Sequence, residues 1–378
     1  MRIDKIKIYD LKIPFRLKIT HGLYTRKYTE AIVIISYDNN GNKGYGEGTP
    51  RKFVTGETLN ECLTSANELS QEIIGKEISS FDELKYFLAT LWSKNKGKSH
   101  PAAFCAVELA IFDLWARKEQ LPLWRLFAET PAFEVLIYSG VLPYFKNETD
   151  LLKFLNIAKE IKFKLIKVKI IDKESGLSHL HLIRQKLGND IDLRVDANAI
   201  LSVADAISFI KEAKPYKISA LEQPVAKDDL MGLKKVSQAS DIPIIADESM
   251  YTSYGPLFLI ENEICHGLNI RLSSCGGVQN AINIWKQAMA KEMLCMIGAH
   301  VGETGILSLA GRNLAAICTD IKYIEGSYST IVLEAELVKE NVFFNSEGNA
   351  QVPAAPGLGI TVEEAAIKKM LIPYATVA

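Results

Sequence analysis

Apolar and polar positions follow two rhythms along this chain, and the change between them predicts its architecture. Residues 2–15 and AIVIISYDNNGNKGYGEG (31–48) alternate as strands do, and the NNGN between apolar runs supplies residues that tolerate the positive φ of a hairpin turn. Next come TLNECLTSANELSQEIIG, FDELKYFLATLWSK and AAFCAVELAIFDLWARK, with apolar residues at three- and four-residue spacing, the mark of amphipathic helices. This predicts an α+β unit over residues 1–128. From residue 133 short apolar strands each precede a helical stretch: 135–142, 165–170, 192–197, 218–223, 242–248, 267–273, 294–299 and 321–326. Eight β/α units at intervals of about 25 to 30 residues, without a reversal signal, predict a closed parallel barrel over residues 129–354. VPAAPGLGI then marks an irregular return, so that the tail from about 355 to 378 rejoins the first unit.

Composition narrows the partners. The 44 Lys+Arg balance 45 Asp+Glu, so no global field draws the chain to nucleic acid or to an anionic membrane. Six cysteines without CxxC spacing read as reduced core thiols, which together with the absence of a signal-type apolar run points to the cytoplasm. The expected partner is a small carboxylic acid, and a barrel of this size is expected to assemble as a homo-oligomer. GYGEG (44–48) lacks the strand-turn-helix context of a dinucleotide site and reads as a turn.

In such a barrel the chemistry gathers at the carboxyl ends of the strands. Those ends carry Lys167 and Lys169, Asp196 with Asn198, Glu222, Asp247 with Glu248, Arg271, His300 and Glu325. Acids on three adjacent strands, Asp196, Glu222 and Asp247, would repel one another without a cation among them. An all-oxygen set suits a hard ion, Mg²⁺ first and Mn²⁺ second. Such an ion polarises a substrate carboxylate and stabilises the enediolate left when a base removes the adjacent proton. Lys167 and Lys169 share one face of their strand, and two ammonium groups beside a metal are expected to lower each other's pKa. Lys169, nearer the carboxyl end, is the candidate base.

At KVK (167–169), DAN (196–198), EQP (222–224), ADES (246–249), GG (276–277) and PGLGI (356–360) the sequence resembles the enolase superfamily, in particular its muconate lactonizing enzyme and dipeptide epimerase branch. The resemblance implies a modified (β/α)₇β barrel under an α+β capping domain, Mg²⁺ on Asp196, Glu222 and Asp247, and Lys169 as base. It also implies specificity set by capping loops, here His21 to Arg26 and Thr49 to Glu57, which makes Tyr24 and Val54 candidate substrate contacts alongside Asn198, Glu303 and Glu325. Two features depart from the branch. Its sixth strand usually reads NIK, with a second acid/base lysine, where this chain has NIR and Arg271. Its DxD-like element after the eighth strand, which holds a substrate ammonium, is replaced by IEGSY. Arginine does not release its proton near neutral pH, and two parallel hydrogen bonds suit it to binding an anion. The expected reaction is therefore elimination, such as dehydration, or cycloisomerisation, with Lys169 as base and Arg271 as fixed cation. A racemase or epimerase using His300 as second acid/base is the alternative. Two rivals are a Schiff-base aldolase using Lys169, which needs no metal, and a noncatalytic relative that binds a small acid.

Overall fold

A computed structural model describes residues 1–21, 24–95 and 100–371, and of residues 17–21, 24, 25 and 95 the backbone alone. The chain opens with β1 (Ile3–His21), β2 (Tyr24–Asp38) and β3 (Lys43–Gly48), an antiparallel sheet in the order β1-β2-β3, followed by helices α1 (Leu59–Ile73), α2 (Phe81–Asn95) and α3 (Pro101–Lys118). The first strand outruns its expected end at residue 15 by continuing through a register shift between Pro14 and Ile19. The turn before β3 forms on NNGN: the Asp38 carboxylate accepts the N–H groups of Asn40 (2.9 Å) and Asn42 (2.8 Å), and Gly41 takes φ +80°.

GYGEG is not a turn but most of β3, and its glycines let a strand lie directly on a helix. A Cβ at Gly44, Gly46 or Gly48 would stand 2.1, 2.0 or 2.0 Å from the carbonyl oxygens of Ala110, Ala106 and Ala102 in α3. Two residues of strand span about 6.6 Å and four of helix about 6.0 Å, so the glycine period and the alanine period keep step.

The second sheet holds β5 (Gly140–Leu142), β6 (Leu165–Lys169), β7 (Asp192–Asp196), β8 (Ile218–Glu222), β9 (Ile244–Ala246), β10 (Gly267–Ile270), β11 (Leu294–Ile297) and β12 (Ile321–Ile324), hydrogen-bonded in chain order. A parallel bridge between Tyr138 and Ile324, with Ser139 N donating to Ile324 O at 2.9 Å, closes the ring. All eight strands lie within the spans read from the sequence, with one correction. Residues 135–142 are not one strand: β4 (Val135–Ile137) pairs antiparallel with β13 (Asn349–Gln351), and the chain enters the barrel only at Gly140. An apolar run carries no mark of a switch between sheets, and Val135 and Ile137 are in fact partly exposed.

Residues 356–371 lie on the first sheet and its helices. Leu123 N donates to Gly357 O (2.7 Å), Leu358 N to Asp113 Oδ1 (2.6 Å) and Lys12 N to Met370 O (3.0 Å). Among the described residues no helix is long and apolar enough to cross a membrane, and the six cysteines are buried and unpaired. Gly46→Ala, which drives a methyl into α3, should lower stability by about 2–3 kcal/mol. Gly41→Ala, with nothing within 4 Å of its Cβ, carries only the backbone strain of about 1 kcal/mol. Urea unfolding of the two variants checks the contrast.

Candidate active site

Strand alternation carries the polar side chains inward in layers. Lys167 and Lys169 on β6, Arg194 and Asp196 on β7, Glu222 ending β8, Asp247 after β9, Asn269 and Arg271 at the end of β10 and Glu325 after β12 are connected in one cluster, over an apolar layer of Ala220, Ile245, Met296 and Tyr323. Asp196, Glu222 and Asp247 are fully buried. Burying charge is costly unless each group is paired, and here opposite charges alternate.

Lys167 is the hub. Its Nζ lies 2.8 and 2.9 Å from the two oxygens of Glu325, 3.2 Å from Asp196 Oδ2 and 3.3 Å from Glu222. Glu325 is held from its other side by Arg194, which also donates to Ser139 Oγ (3.0 Å) and lies over the Tyr323 ring at 4.2 Å. Burial alone would lower the pKa of Lys167, but Glu222, Glu325 and Asp196 outweigh it and hold the group above the ordinary lysine range. At Lys167 the expected lowering is outweighed, since three carboxylates surround this ammonium. Lys167 is a sealed cation, 2% exposed, whereas the Lys169 side chain is 15% exposed and can meet a substrate. Lys169 Nζ is aimed by Asp196 Oδ2 (3.2 Å) and Asn198 Oδ1 (2.9 Å).

Glu325, expected at the substrate, has both oxygens engaged and is 8% exposed. Burial would raise its pKa, but Lys167 and Arg194 overcome this and pull it down to about 2. Across the ring, Arg271 is ion-paired with Asp247 and 4.0 Å from Glu222. Burial acts to lower its pKa, and Asp247 and Glu248 overcome that and raise it, so it holds its proton throughout the useful pH range. In an eight-membered ring β6 and β10 are four strands apart, so Arg271 and Lys169 stand on opposite sides.

His300 follows β11 with its ring fixed at both nitrogens: Nδ1 lies 3.0 Å from Thr49 Oγ1 and Nε2 3.0 Å from Ser274 Oγ. Glu303 accepts the His300 N–H at 2.7 Å, and burial pushes its carboxyl up to about 8. Val54, expected to touch substrate, is fully buried and offers its carbonyl to Lys227 Nζ at 3.3 Å instead. The side chains of His21 and Tyr24 lie outside the described residues.

Among the described residues no three His, Cys, Asp or Glu side chains are gathered closely enough to ligate one ion as they stand. The expected convergence is therefore incomplete, because Lys167, Asn269 (Nδ2 to Glu222 Oε1, 2.8 Å) and Arg271 share the acid oxygens. The donor set nevertheless fits a hard cation: it is all oxygen, from three successive strands, and Asp247 Oδ1 is buried with no hydrogen-bond partner among the described residues.

Sequence reading missed Arg194 and Asn269. Each stands two residues before a group that was read as inward, Asp196 or Arg271, which is the same spacing that puts Lys167 beside Lys169. It also missed the glutamates by which the first sheet and its helices grip the barrel. Glu47 of β3 accepts from Thr304 N (2.9 Å) and Leu307 N (3.0 Å), at the start of the helix Gly305–Ile317. Glu108 of α3 accepts from Val278 N at the start of the helix Val278–Met289. That approach explains the GG motif, since a Cβ on Gly277 would sit 2.1 Å from Glu108 Oε2.

A family model of the mandelate racemase / muconate lactonizing enzyme N-terminal domain matches residues 7–128, and one described as enolase C-terminal domain-like matches residues 152–366. The chain belongs to the enolase superfamily. It is similar to a hydrophobic dipeptide epimerase of Enterococcus faecalis, 29% identical over 363 residues that cover 96% of this chain and 100% of the relative. It is also 27% identical to the L-Ala-D/L-Glu epimerase of Bacillus subtilis, over 95% of this chain and 97% of that one. The crystal structure of the Enterococcus faecalis dipeptide epimerase complexed with Mg and the dipeptide L-Leu-L-Tyr superposes with a TM-score of 0.86 at 30% identity, covering 96% of this chain and all of the other. Membership sets this chain among superfamily enzymes of isomerase and lyase type.

Burial pushes Glu47 up to about 7 and Glu108 up to about 8, so the folded protein holds protons that the unfolded chain has released. The stability these groups contribute is complete below the ordinary carboxylate range and is lost as pH rises through about 7 to 8. The urea midpoint of the metal-free protein should therefore fall between about pH 5.5 and 8.5, and Glu108→Gln should make that fall shallower.

Proposed function

We propose that this enzyme is a magnesium-dependent isomerase that removes the proton next to the carboxylate of an N-acylated α-amino acid, dipeptides included, and returns it on the opposite face. The observation that carries this reading is the pairing of one sealed lysine with one accessible lysine: Lys167 is held as a cation among acids, while Lys169 is aimed by Asp196 and Asn198 and open to substrate. The relatives, epimerases over nearly their full lengths, move the balance from elimination toward epimerisation.

Asp196, Glu222 and Asp247 would hold Mg²⁺, with Mn²⁺ the other ion that suits three carboxylates. When bound, the ion withdraws charge from the substrate carboxylate and makes the adjacent carbon more acidic. Lys169 takes the proton at Nζ, and Asn198 Oδ1 keeps that amine oriented. Arg271 cannot return a proton, because its carboxylate neighbours hold it charged. His300, after β11 and three strands from β6 around the ring, has the chemistry for that role once one ring nitrogen leaves its hydroxyl partner, and Thr49 and Ser274 orient the ring until then. Lys167 and Arg194 act on Glu325 and the acids and leave the substrate untouched.

A second reading, elimination or cycloisomerisation, is favoured by one observation, the arginine at position 271. A fixed cation opposite a single base stabilises an anion and does not reprotonate carbon. Incubation with Mg²⁺ and N-acyl amino acids in D₂O separates the two. Epimerisation gives α-deuterated product of inverted configuration, whereas elimination gives an unsaturated or cyclised product without that isomer. For the first reading, Lys169→Ala should slow α-proton exchange about a thousandfold and chelation of the metal should abolish it. Exchange that survives either treatment contradicts the assignment.

A further inference from the structure

Gln223, which follows Glu222, is a fully buried amide beside the acids proposed for the metal, and the chemistry described so far leaves it unused. Burying an amide is costly unless its polar atoms are bonded, and here both are bonded twice. Oε1 accepts the N–H groups of Asp247 (2.9 Å) and Ser249 (3.0 Å), and Nε2 donates to Val225 O (2.9 Å) and Ser249 Oγ (2.7 Å). Backbone donors on one side and a carbonyl on the other fix which end of the amide is the oxygen.

The main chain of the same residue reaches both neighbouring strands. Gln223 N donates to Ile245 O (2.8 Å) in β9, and Gln223 O accepts from Ala199 N (2.8 Å), three residues past Asp196. One residue is thus bonded to the segments that carry or follow all three acids. It does so with φ +36°, and Ala199 and Asn198 opposite it have φ +64° and +42°. Left-handed backbone is unfavourable for residues with a Cβ and persists where the surroundings over-determine it, often at functional sites.

The three acids are not held alike. Asp196 and Glu222 are the last residues of β7 and β8 and lie opposite each other in the parallel ladder. Asp247 lies one residue past the end of β9 at Ala246, and its N–H goes to a side chain, Gln223 Oε1, in place of a neighbouring strand. We infer that Gln223 is a positioning residue for Asp247: its amide oxygen gathers the Asp247 and Ser249 N–H groups and keeps the third carboxylate in register with the two that the ladder fixes. This rests on the reading that Asp196, Glu222 and Asp247 hold the ion, and Gln223 acts through Asp247 and not on the ion itself.

Calorimetry of Mn²⁺ binding to the full chain tests the assignment. Gln223→Leu keeps the bulk and removes the acceptor, and should raise the dissociation constant at least about tenfold. Gln223→Glu, whose carboxyl offers an oxygen to the same two N–H groups, should stay within about threefold of the unaltered protein. A leucine variant that binds Mn²⁺ as tightly as the unaltered protein, with only its urea midpoint lowered, makes Gln223 a residue of stability alone and overturns the inference, as does a glutamate variant as weak as the leucine one. Where leucine prevents folding, amide exchange in the unaltered protein carries the test: without metal, Asp247 and Ser249 should exchange as slowly as β8 and change little when Mg²⁺ is added. Fast exchange that slows only with Mg²⁺ shows a loop ordered by the ion and overturns the inference. Asp247→Asn, measured alongside, reads the ligand assignment separately. If it binds Mn²⁺ like the unaltered protein, the metal reading falls and this inference with it, whereas binding lost in Asp247→Asn and kept in Gln223→Leu removes the inference alone.

Discussion

A lysine ammonium sealed inside a closed barrel governs the rest of this site. Lys167 has almost no solvent, so its charge has to be balanced by the protein, and Asp196, Glu222 and Glu325 supply that balance within 3.3 Å. Those carboxylates need compensation in turn, which Arg194, Lys169, Asn269 and Arg271 provide. The result is a set of side chains that cannot be altered singly without leaving a buried charge alone, an imbalance of the kind that typically costs about 3–5 kcal/mol. The same constraint divides labour between the neighbouring lysines. One is kept protonated by its surroundings, and the other, two residues on and more exposed, is the one proposed to meet the substrate.

The capping elements extend this electrostatic logic to the junction with the barrel. Glu47 and Glu108 end at the starts of two successive barrel helices, where they accept backbone N–H groups the helices leave over, although burial outweighs these bonds and raises both carboxyls to about 7 and 8. Thr49, just beyond β3, contributes to the orientation of His300, and its own N–H is taken by Ser273 Oγ at 2.8 Å. His300, proposed above to return the proton, is thus held partly by a residue just beyond the capping sheet and partly by the barrel.

Much of this was legible in the sequence because barrel strands obey a strict alternation. The eight strands followed from short apolar runs that each precede a helical stretch, the charged residues from the carboxyl ends of those runs, and the motifs KVK, DAN and EQP carried the family resemblance that the fold and the relatives bear out. The same alternation also marks Arg194 and Asn269, yet neither ends a strand, and an arginine in the middle of one reads as a surface residue until the ring is seen to close around it. The break at Ser139 was illegible, since a run of apolar residues does not record which sheet it joins. GYGEG misled for a related reason: glycine at alternate positions suggests a turn, and only the backbone of α3 shows why side chains are missing there. Glu325 was correctly assigned to the ring's edge, but its partners, and hence its distance from substrate chemistry, depend on contacts between β6, β7 and β12 that no local pattern encodes.

Arg271 stands where the resemblance leads one to expect a lysine, and its contact with Asp247 ties it to one of the acids proposed for the metal. A crystal structure with Mn²⁺, the ion located by its anomalous signal, tests the central account most directly. The account predicts one ion with oxygens of Asp196, Glu222 and Asp247 all within about 2.3 Å and Lys169 Nζ facing the open side of its coordination shell. An ion bound elsewhere, or by fewer than all three of these carboxylates while Arg271 stays on Asp247, would contradict it.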